Sequence, residues 1–296
     1  MKQMTRFFPL LLIFIACSKP DNKIDPISRQ GDRFSNVPLN YVLTRPILEA
    51  SGIADSKSFD DHLWVHEDGG NPARLFLLKH EGFVTDSFTL AGATNRDWED
   101  IALGKGPMDG ANYLYIGDIG DNQSIYSSYT IYRLLEPQSF SDEITGYDSI
   151  RFTYPDGSHD AEAMMVDDAT RDIYIITKRD AVSKVYRLPY PQDTENMNQA
   201  VFVSDLTFSG VVSATLSSTG TEMMLKTYTS LYYFTRNAQE GLATTLAKMP
   251  TDTLVYQLES QGEAVAFANN NSWFFTLSEK GLSDASPNLL YYRRTQ

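Results

Sequence analysis

Short apolar segments alternate with polar turns along the chain, and the alternation recurs as a unit. Within a unit, a short apolar segment, a polar turn and a second segment with bulky side chains follow one another. Segments of about four to eight residues that are rich in aromatic and β-branched side chains predict β-strands. The units begin at Ser51, Trp98, Asp160, Ser213 and Gly262. No convincing helical periodicity accompanies them, so the pattern indicates an all-β protein.

Further apolar segments complete most units to four strands. The third segments read ARLFLL, YTIYRLL, KVYRLP, SLYYFT and LLYYRR, and the fourth read FVTDSFTLAG, DSIRFTYP, QAVFVSDLTF and DTLVYQLES. If Ser51, Glu99, Glu162, Ser213 and Glu263 are equivalent, consecutive units lie 48, 63, 51 and 50 residues apart. About 40–50 residues per four-stranded unit is typical of a β-propeller. We assign the long step to a longer loop in the second unit.

The last unit ends after three strands, and its missing outer strand can come from the N-terminal side. The segment LNYVLTR, residues 39–45, precedes the first unit and has strand character. Its pairing with the last unit would close the ring and remove the exposed edges of an open array. We therefore predict that residues 37–296 form a β-propeller of five four-stranded blades closed by an N-terminal strand. Six blades are the alternative count.

Charge limits the set of partners. The 296-residue chain has 38 acidic and 25 basic residues and a formal net charge of −13. A chain this acidic repels a phosphate backbone, so we expect no nucleic-acid partner. We expect a monomer that binds a small anionic substrate or, alternatively, a glycan or protein ligand.

The N-terminus predicts secretion and a lipid anchor. Basic Lys2 and Arg6 precede an apolar run from Phe7 to Ala16. The run is too short to span a bilayer and is typical of a signal peptide. Phe14-Ile15-Ala16-Cys17 resembles a bacterial lipobox, in which the Cys becomes lipidated. An ordinary secretion signal with an incidental Cys is the alternative.

These features divide the N-terminal region in two. We predict a lipoprotein signal peptide over residues 1–16 and a flexible polar tether over residues 17–36. The protein is then expected to be a lipoprotein of the bacterial outer membrane or periplasm, attached to the membrane only through its N-terminal lipid. Ser18-Lys19-Pro20-Asp21 resembles the segment behind surface export of some Gram-negative lipoproteins, which adds the cell surface as a location.

The equivalent positions of the units suggest a metal collar, because the first strand of each propeller blade lines the central axis. The collar would consist of Ser51, Glu99, Glu162, Ser213 and Glu263. Three carboxylates on one axis repel each other unless a cation lies between them. A hard cation with about six to eight oxygen ligands suits these donors better than zinc, so calcium is the predicted ion. Neutralisation by Lys178 and Lys226, protonation of a Glu, and a misaligned repeat are the open alternatives.

This order of Ser and Glu residues resembles that of the calcium-dependent apyrases, which are soluble five-bladed nucleotidases. In that family serines and glutamates of successive blades hold an axial calcium, so the resemblance implies the same ligands here. Four further segments are similar to segments of the family: LYIGDIGDN at residues 114–122, Lys178-Arg179, Lys226 and His66-Glu67-Asp68-Gly69. The resemblance covers residues 51 to about 280 as scattered short motifs. The chain is also loosely similar to phytase-like and lactonase-like secreted bacterial propellers.

The resemblance supports a bound calcium ion more strongly than it supports nucleotidase activity. The family's nucleotide site includes an acidic strand end near the N-terminus, which residues 41–45 here lack, and the third-blade pair is Lys-Arg instead of Arg-Arg. A shared fold is also weak evidence for a shared reaction. The candidate catalytic residues are Asp118, Lys178, Arg179, Lys226 and His66. The three basic residues could bind an anion, and His66 could act as a general base, but Asp118 and His66 are equally explained as turn and mouth residues.

Two classes of function therefore remain. One is a calcium-dependent hydrolase of a phosphate-containing or ester substrate, either apyrase-like or similar to a phosphoesterase or lactonase. The other is a non-catalytic propeller with structural calcium that binds a glycan, peptide or protein. The sequence contains no G-x-S-x-G, P-loop, H-E-x-x-H or dinucleotide motif, so nothing beyond the collar favours a particular reaction.

Overall fold

The computed structural model describes residues 33–45, 47–237, 239–280 and 287–295. Its strands form five separate sheets, each built around four antiparallel strands that make up one blade. The prediction of an all-β propeller with five blades is therefore confirmed. Cys17, the signal peptide and most of the tether lie outside the described residues. No described helix is both long and apolar enough to cross a membrane.

The strands follow the predicted units in chain order. The first strand is β1 (Leu39–Val42). Blade 1 contains β2 (Ala50–Asp55), β3 (His62–Glu67), β4 (Arg74–Lys79) and β5 (Val84–Leu90). Blade 2 contains β6 (Trp98–Lys105), β7 (Asn112–Asp118), β8 (Tyr129–Leu135) and, after the short β9 (Glu143–Ile144), β10 (Tyr147–Thr153).

The remaining blades repeat this arrangement. Blade 3 contains β11 (Ala161–Val166), β12 (Ile173–Thr177), β13 (Lys184–Leu188) and, after β14 (Asn198–Gln199), β15 (Val201–Asp205). Blade 4 contains β16 (Val211–Leu216), β17 (Glu222–Thr227), β18 (Leu231–Thr235), the helix α1 (Leu242–Leu246) and β19 (Asp252–Leu254). Blade 5 contains β20 (Ala264–Phe267), β21 (Trp273–Leu277) and β22 (Asn288–Arg293).

The fourth strand of blade 5 is β1, as the sequence predicts. It pairs antiparallel with β22, with Leu39 opposite Tyr291 and Val42 opposite Asn288. Phe34 extends the closure, because it forms an isolated bridge with Arg294 and its ring packs edge-on against Phe274 at 4.9 Å. The two ends of the described chain thus share one sheet.

Two short strands reach from one blade to the edge of another. β9 lies in the long loop of the second unit and pairs parallel with β5 of blade 1. β14 follows blade 3's third strand and pairs parallel with β10 of blade 2. These pairings cover outer edges that would otherwise expose backbone groups. β9, which lies between Glu99 and Glu162, also accounts for part of the 63-residue step between the second and third units.

The core consists of apolar layers between neighbouring blades. Blades 1 and 2 enclose Trp64 and Trp98, both fully buried, and the other interfaces contain aliphatic and aromatic residues in the same way. Large aromatic side chains contribute most of the buried apolar area in such a layer. This packing fixes the blades around the axis and so fixes the positions of the residues that line it.

Candidate metal centre at the mouth of the propeller

The first strands of the blades begin at one end of the axis, which we call the mouth. In blades 1 to 3 each first strand contains a β-bulge near this end. The bulged residues are Ser51, Glu99 and Glu162. A bulge leaves one residue outside the ladder and redirects its side chain. Glu263 directly precedes β20 and occupies the matching place in blade 5, since the next residue, Ala264, pairs with Leu277.

Blade 4 departs from the predicted collar by one residue. Its register shifts between Val211 and Ser213, so the bulged residue is Val212. Ser213 instead matches Asp100, one level farther from the mouth, and its Oγ lies 3.3 Å from Asp100 Oδ1. The repeat alignment is corrected accordingly. The run Val211-Val212-Ser213 gives no sequence sign of which residue is bulged.

The same register places Lys178 and Lys226 at different depths along the axis. Lys226 pairs with Ser213 in the ladder, whereas Lys178 follows Thr177, the residue opposite Ala161. Lys178 therefore lies at the mouth. Lys226 lies one level deeper, fully buried, where it donates to the carbonyl of Gly262 and its Nζ is 3.5 Å from Glu259 Oε2.

Two groups of carboxylates meet at the mouth and share Glu99. The blade 1–2 group consists of Asp68, Asp97 and Glu99. The blade 2–3 group consists of Glu99, Asp160 and Glu162. Within each group one oxygen from every residue lies within 4.8 Å of the others. Such spacing is compatible with one cation bound by all three, since oxygen ligands of calcium lie about 2.3–2.6 Å from the ion.

Basic side chains already neutralise part of the blade 2–3 group. Lys178 Nζ forms an ion pair with Glu162 Oε2 and lies 3.7 Å from Glu263 Oε1. Arg179 Nε lies 2.6 Å from Asp160 Oδ2, and its guanidinium extends to Asn122. Lysine neutralisation, one of the alternatives from the sequence, is thus present at Glu162 and Glu263.

The blade 1–2 group has no such partners among the described residues. Neither Asp68, Asp97 nor Glu99 forms an ion pair with a basic side chain there. The charge of Arg96 opposes the burial-raised pKa of Asp97, but the Arg96 guanidinium donates to the backbone carbonyls of Ser128 and Asp118. Glu99 is only 4% exposed, and its carboxylate receives one long hydrogen bond, from Ser51 Oγ to Oε2 at 3.4 Å. Burial of a carboxylate without a partner is costly, so Glu99 requires a proton or a cation.

The carboxyl groups at the mouth are shifted in the direction that this crowding predicts. Burial is the main cause of the raised pKa values of Asp68 and Asp97, each about 6. Burial also acts to raise the pKa of Glu162, and the positive charge of Lys178 opposes this rise. The pKa of Glu99 lies well above its ordinary value because of burial and the nearby charge of Glu162. A cation at the mouth would compete with these protons.

Two of the candidate catalytic residues are engaged by the scaffold. Asp118 Oδ1 accepts a hydrogen bond from the backbone N–H of Asp97 at 2.8 Å, so it shapes the loop that carries Asp97. His66 is fully buried beneath the mouth with its ring edge-on to Trp98, and burial lowers its pKa to about 4. A neutral, enclosed His66 has no access to a substrate in this arrangement. Lys178 and Arg179 are the predicted basic residues that do lie at the mouth.

Sequence reasoning missed three members of the two groups as ligands. Asp97 and Asp160 each stand two residues before a collar glutamate, so blades 2 and 3 share the pattern Asp-x-Glu. This repetition was the available signal. Asp68 ends the acidic turn of blade 1, and nothing in the sequence alone places it opposite Asp97.

Asp100 is a further buried carboxyl group on the axis. It is fully buried, and its Oδ2 accepts hydrogen bonds from the N–H groups of Met164 at 2.9 Å and Ala214 at 3.2 Å. Burial raises the pKa of this carboxyl well above its ordinary value. The side chain joins blade 2 to blades 3 and 4 and closes the axis below the mouth.

The opposite end of the axis has a different character. A cavity of about 60 Å³ lies there, lined largely by small and apolar residues of the first strands such as Ile53, Ile101 and Met164. Among the described residues, groups of three close carboxylates lie only at the mouth, so the mouth is the better candidate for chemistry.

No protein family matches the sequence, and comparison with curated proteins finds no significant relative. Comparison with solved structures finds other propellers. A luciferin-regenerating enzyme is 9% identical with a TM-score of 0.51, over 87% of this chain and 96% of that one. The WD40 repeats of RRP9 are 10% identical with a TM-score of 0.45, over 88% of this chain and 99% of that one. At such identities the likeness shows the fold alone, and the resemblance to apyrases stays a prediction.

Proposed function

We propose that this protein is a divalent-cation-binding propeller and that calcium is its ion. The observation that carries the proposal is Glu99, a buried carboxylate that faces other carboxylates on both sides and has no basic partner among the described residues. All ligand candidates are carboxylate oxygens, the donors that calcium prefers. The two groups contain no Cys or His, which argues against zinc.

The mouth would use the cation to bind an anion. A bound calcium supplies positive charge for phosphate or carboxylate oxygens. Arg179 supplies a second anchor, because its side chain is 48% exposed while Asp160 fixes its position. Arginine binds such groups in a planar, bidentate manner. We infer a small anionic ligand, or an acidic part of a glycan or protein.

Hydrolysis of a phosphate-containing or ester substrate is the second candidate. The observation that favours it is the position of Arg179 beside both a cation site and open solvent. Arg179 could stabilise charge that develops on the oxygen of a bound substrate. The exposed guanidinium is common to both candidates, so turnover must be measured.

We also propose that the protein acts in the bacterial cell envelope, anchored through Cys17 and extended on the tether. The apolar run followed by Ile-Ala-Cys supports this location. A monomeric propeller on a flexible tether would present its mouth to ligands away from the membrane surface.

Calcium titration of the purified protein tests the proposal. We expect calorimetry to show calcium binding and EGTA to lower the Tm. Calcium at a hundredfold excess over its Kd adds about 2.7 kcal/mol of stability. Absence of binding heat, an unchanged Tm in EGTA and no calcium by elemental analysis would together contradict it. A turnover screen with nucleoside diphosphates, phosphoesters and lactones, each with calcium or EGTA, then separates hydrolysis from binding.

A further inference from the structure

We propose that the cation binds beside the propeller axis, on the blade 1–2 group of Asp68, Asp97 and Glu99, and that Lys178 serves as a built-in cation on the axis. The inference rests on the proposed function, because it assigns the place of the cation within the same mouth. It differs from the predicted five-residue collar in two respects. Asp68 and Asp97 become ligands, and Glu162, Glu263 and Ser213, which lies below the mouth, do not.

Positive charge is concentrated at the blade 2–3 group. Lys178 Nζ lies between Glu162 and Glu263, and the hydroxyl of Tyr228 is 3.0 Å from the same nitrogen. Arg179 engages Asp160. A divalent cation in the blade 2–3 group would lie close to these two positive side chains. Their repulsion opposes binding there.

The blade 1–2 group has carboxylate oxygens that no hydrogen bond from a described residue occupies. No described residue donates a hydrogen bond to the carboxylate of Asp97. Asp68 Oδ1 accepts one hydrogen bond, from the N–H of Gly69 at 2.5 Å. No hydrogen bond from a described residue reaches Glu99 Oε1, although Glu99 is buried and belongs to both groups. This oxygen lies on the Asp97 side, since a Cβ on Gly120 would lie 2.2 Å from Glu99 Oε1 and 2.5 Å from Asp97 Oδ2. Free carboxylate oxygens that converge on one point are what a cation requires.

The backbone approaches these oxygens closely at two glycines. A Cβ at Gly69 would lie only 2.3 Å from Asp97 Oδ1, and a Cβ at Gly120 would lie 2.2 Å from Glu99 Oε1 and 2.5 Å from Asp97 Oδ2. Only glycine allows the backbone to approach the carboxylates this closely at both positions. The two glycines therefore form a cradle around the oxygens of Asp97 and Glu99.

Two isosteric substitutions distinguish the two positions. Asp97→Asn removes a ligand charge from the blade 1–2 group alone, and Asp160→Asn removes one from the blade 2–3 group alone. Neither change removes a hydrogen-bond acceptor that the backbone uses, since an asparagine side chain in place of Asp160 keeps an oxygen for the N–H of Asp121, which lies 2.7 Å from Asp160 Oδ1. Both variants should therefore fold, and thermal melts in EGTA verify this. Asp68→Asn is a second test of the blade 1–2 group.

Calcium affinity of the full chain by calorimetry is the readout. We expect Asp97→Asn and Asp68→Asn to weaken calcium binding by at least about tenfold, as loss of one charged ligand should. Asp160→Asn should leave the affinity within about threefold of the wild type, because Asp160 is not a ligand in the blade 1–2 group.

The opposite result would overturn the inference and leave the proposed function standing. If Asp160→Asn weakens binding tenfold while Asp97→Asn does not, the cation lies on the axis. If both variants lose affinity equally, the cation bridges the two groups, and an assignment to one of them is also wrong. If the wild type binds no calcium at all, the proposed function fails, and this inference fails with it.

Discussion

Replacement of Lys178 by Met should destabilise the protein strongly in the absence of calcium. The lysine side chain is 9% exposed, and its two partners, Glu162 and Glu263, are 4% and 7% exposed. Burial alone would lower the pKa of Lys178, but the attraction of Glu162 outweighs it and raises the pKa. The lysine is therefore charged at neutral pH, and its removal leaves buried carboxylates without their cation.

The size of the loss follows from the burial of all three groups. Removal of one partner from a buried pair costs about 3–5 kcal/mol. For a domain of this size, about 2–4 °C of Tm corresponds to 1 kcal/mol. We therefore expect the Tm of Lys178→Met to fall by roughly 6–20 °C in EGTA at pH 7.

Lys184→Met in the same blade is the matched control. Lys184 Nζ lies 3.4 Å from Asp205 Oδ1, but the two side chains are 27% and 51% exposed. Exposed pairs of this kind contribute about 0–1 kcal/mol, so this variant should melt close to the wild type. Calcium should raise the Tm of Lys178→Met more than that of the wild type, because the vacated axial position can then accept the ion.

Equal melting temperatures for Lys178→Met and Lys184→Met in EGTA would refute this reasoning. Such a result would mean that Glu162 and Glu263 are protonated or hydrated in solution and do not depend on the lysine. A large loss that calcium does not reduce would retain the ion pair but exclude calcium from the axial position.

Three further predictions concern other parts of the molecule. Cys17→Ser should abolish retention in the membrane fraction, and fractionation of the variant with membranes like the wild type would exclude the lipid anchor. Glu279→Gln should match the wild type in EGTA near pH 4.5 and melt higher at pH 9. Burial and the nearby Glu263 raise the pKa of Glu279 to about 9. The unfolded chain therefore loses this proton at a lower pH than the folded protein, and stability falls as the pH rises from 4.5 towards 9. Equal Tm values at pH 9 would contradict the raised pKa. Gly120→Ala should lower calcium affinity, because its methyl group would collide with Glu99 Oε1 and Asp97. An unchanged affinity by calorimetry would show that calcium binding does not need a glycine at this position.

The architecture could be predicted from the sequence because the same strand pattern recurs in each unit. Five units with matching strand character predict five blades, and the incomplete last unit predicts closure by residues 39–45. The position of Glu99, Glu162 and Glu263 at one end of the axis follows from the same repeat. Each of these conclusions depends on residues that recur along the chain.

The pairing of lysines with carboxylates at the mouth could not be predicted from the sequence, because it depends on the register of the strands. A shift of one residue in blade 4 places Ser213 below the mouth and Lys226 with it. Sequence spacing cannot distinguish Val212 from Ser213 as the bulged residue, since both are compatible with a strand. The distance between Asp68 and Asp97 depends on how two blades pack, so only the structure identifies them as neighbours.

The ring closure also determines when the molecule can finish folding. β1 lies near the beginning of the described chain and its partner β22 near the end, so at about 5–20 residues per second the two strands are synthesised roughly 12–50 s apart. During this interval the edge residues Leu39 and Val42 lack their partner strand. A nascent or truncated chain without β22 is thus an open array with unpaired edges, which proteases and chaperones recognise. The ring can therefore close only after β22, the last strand of blade 5, has been synthesised.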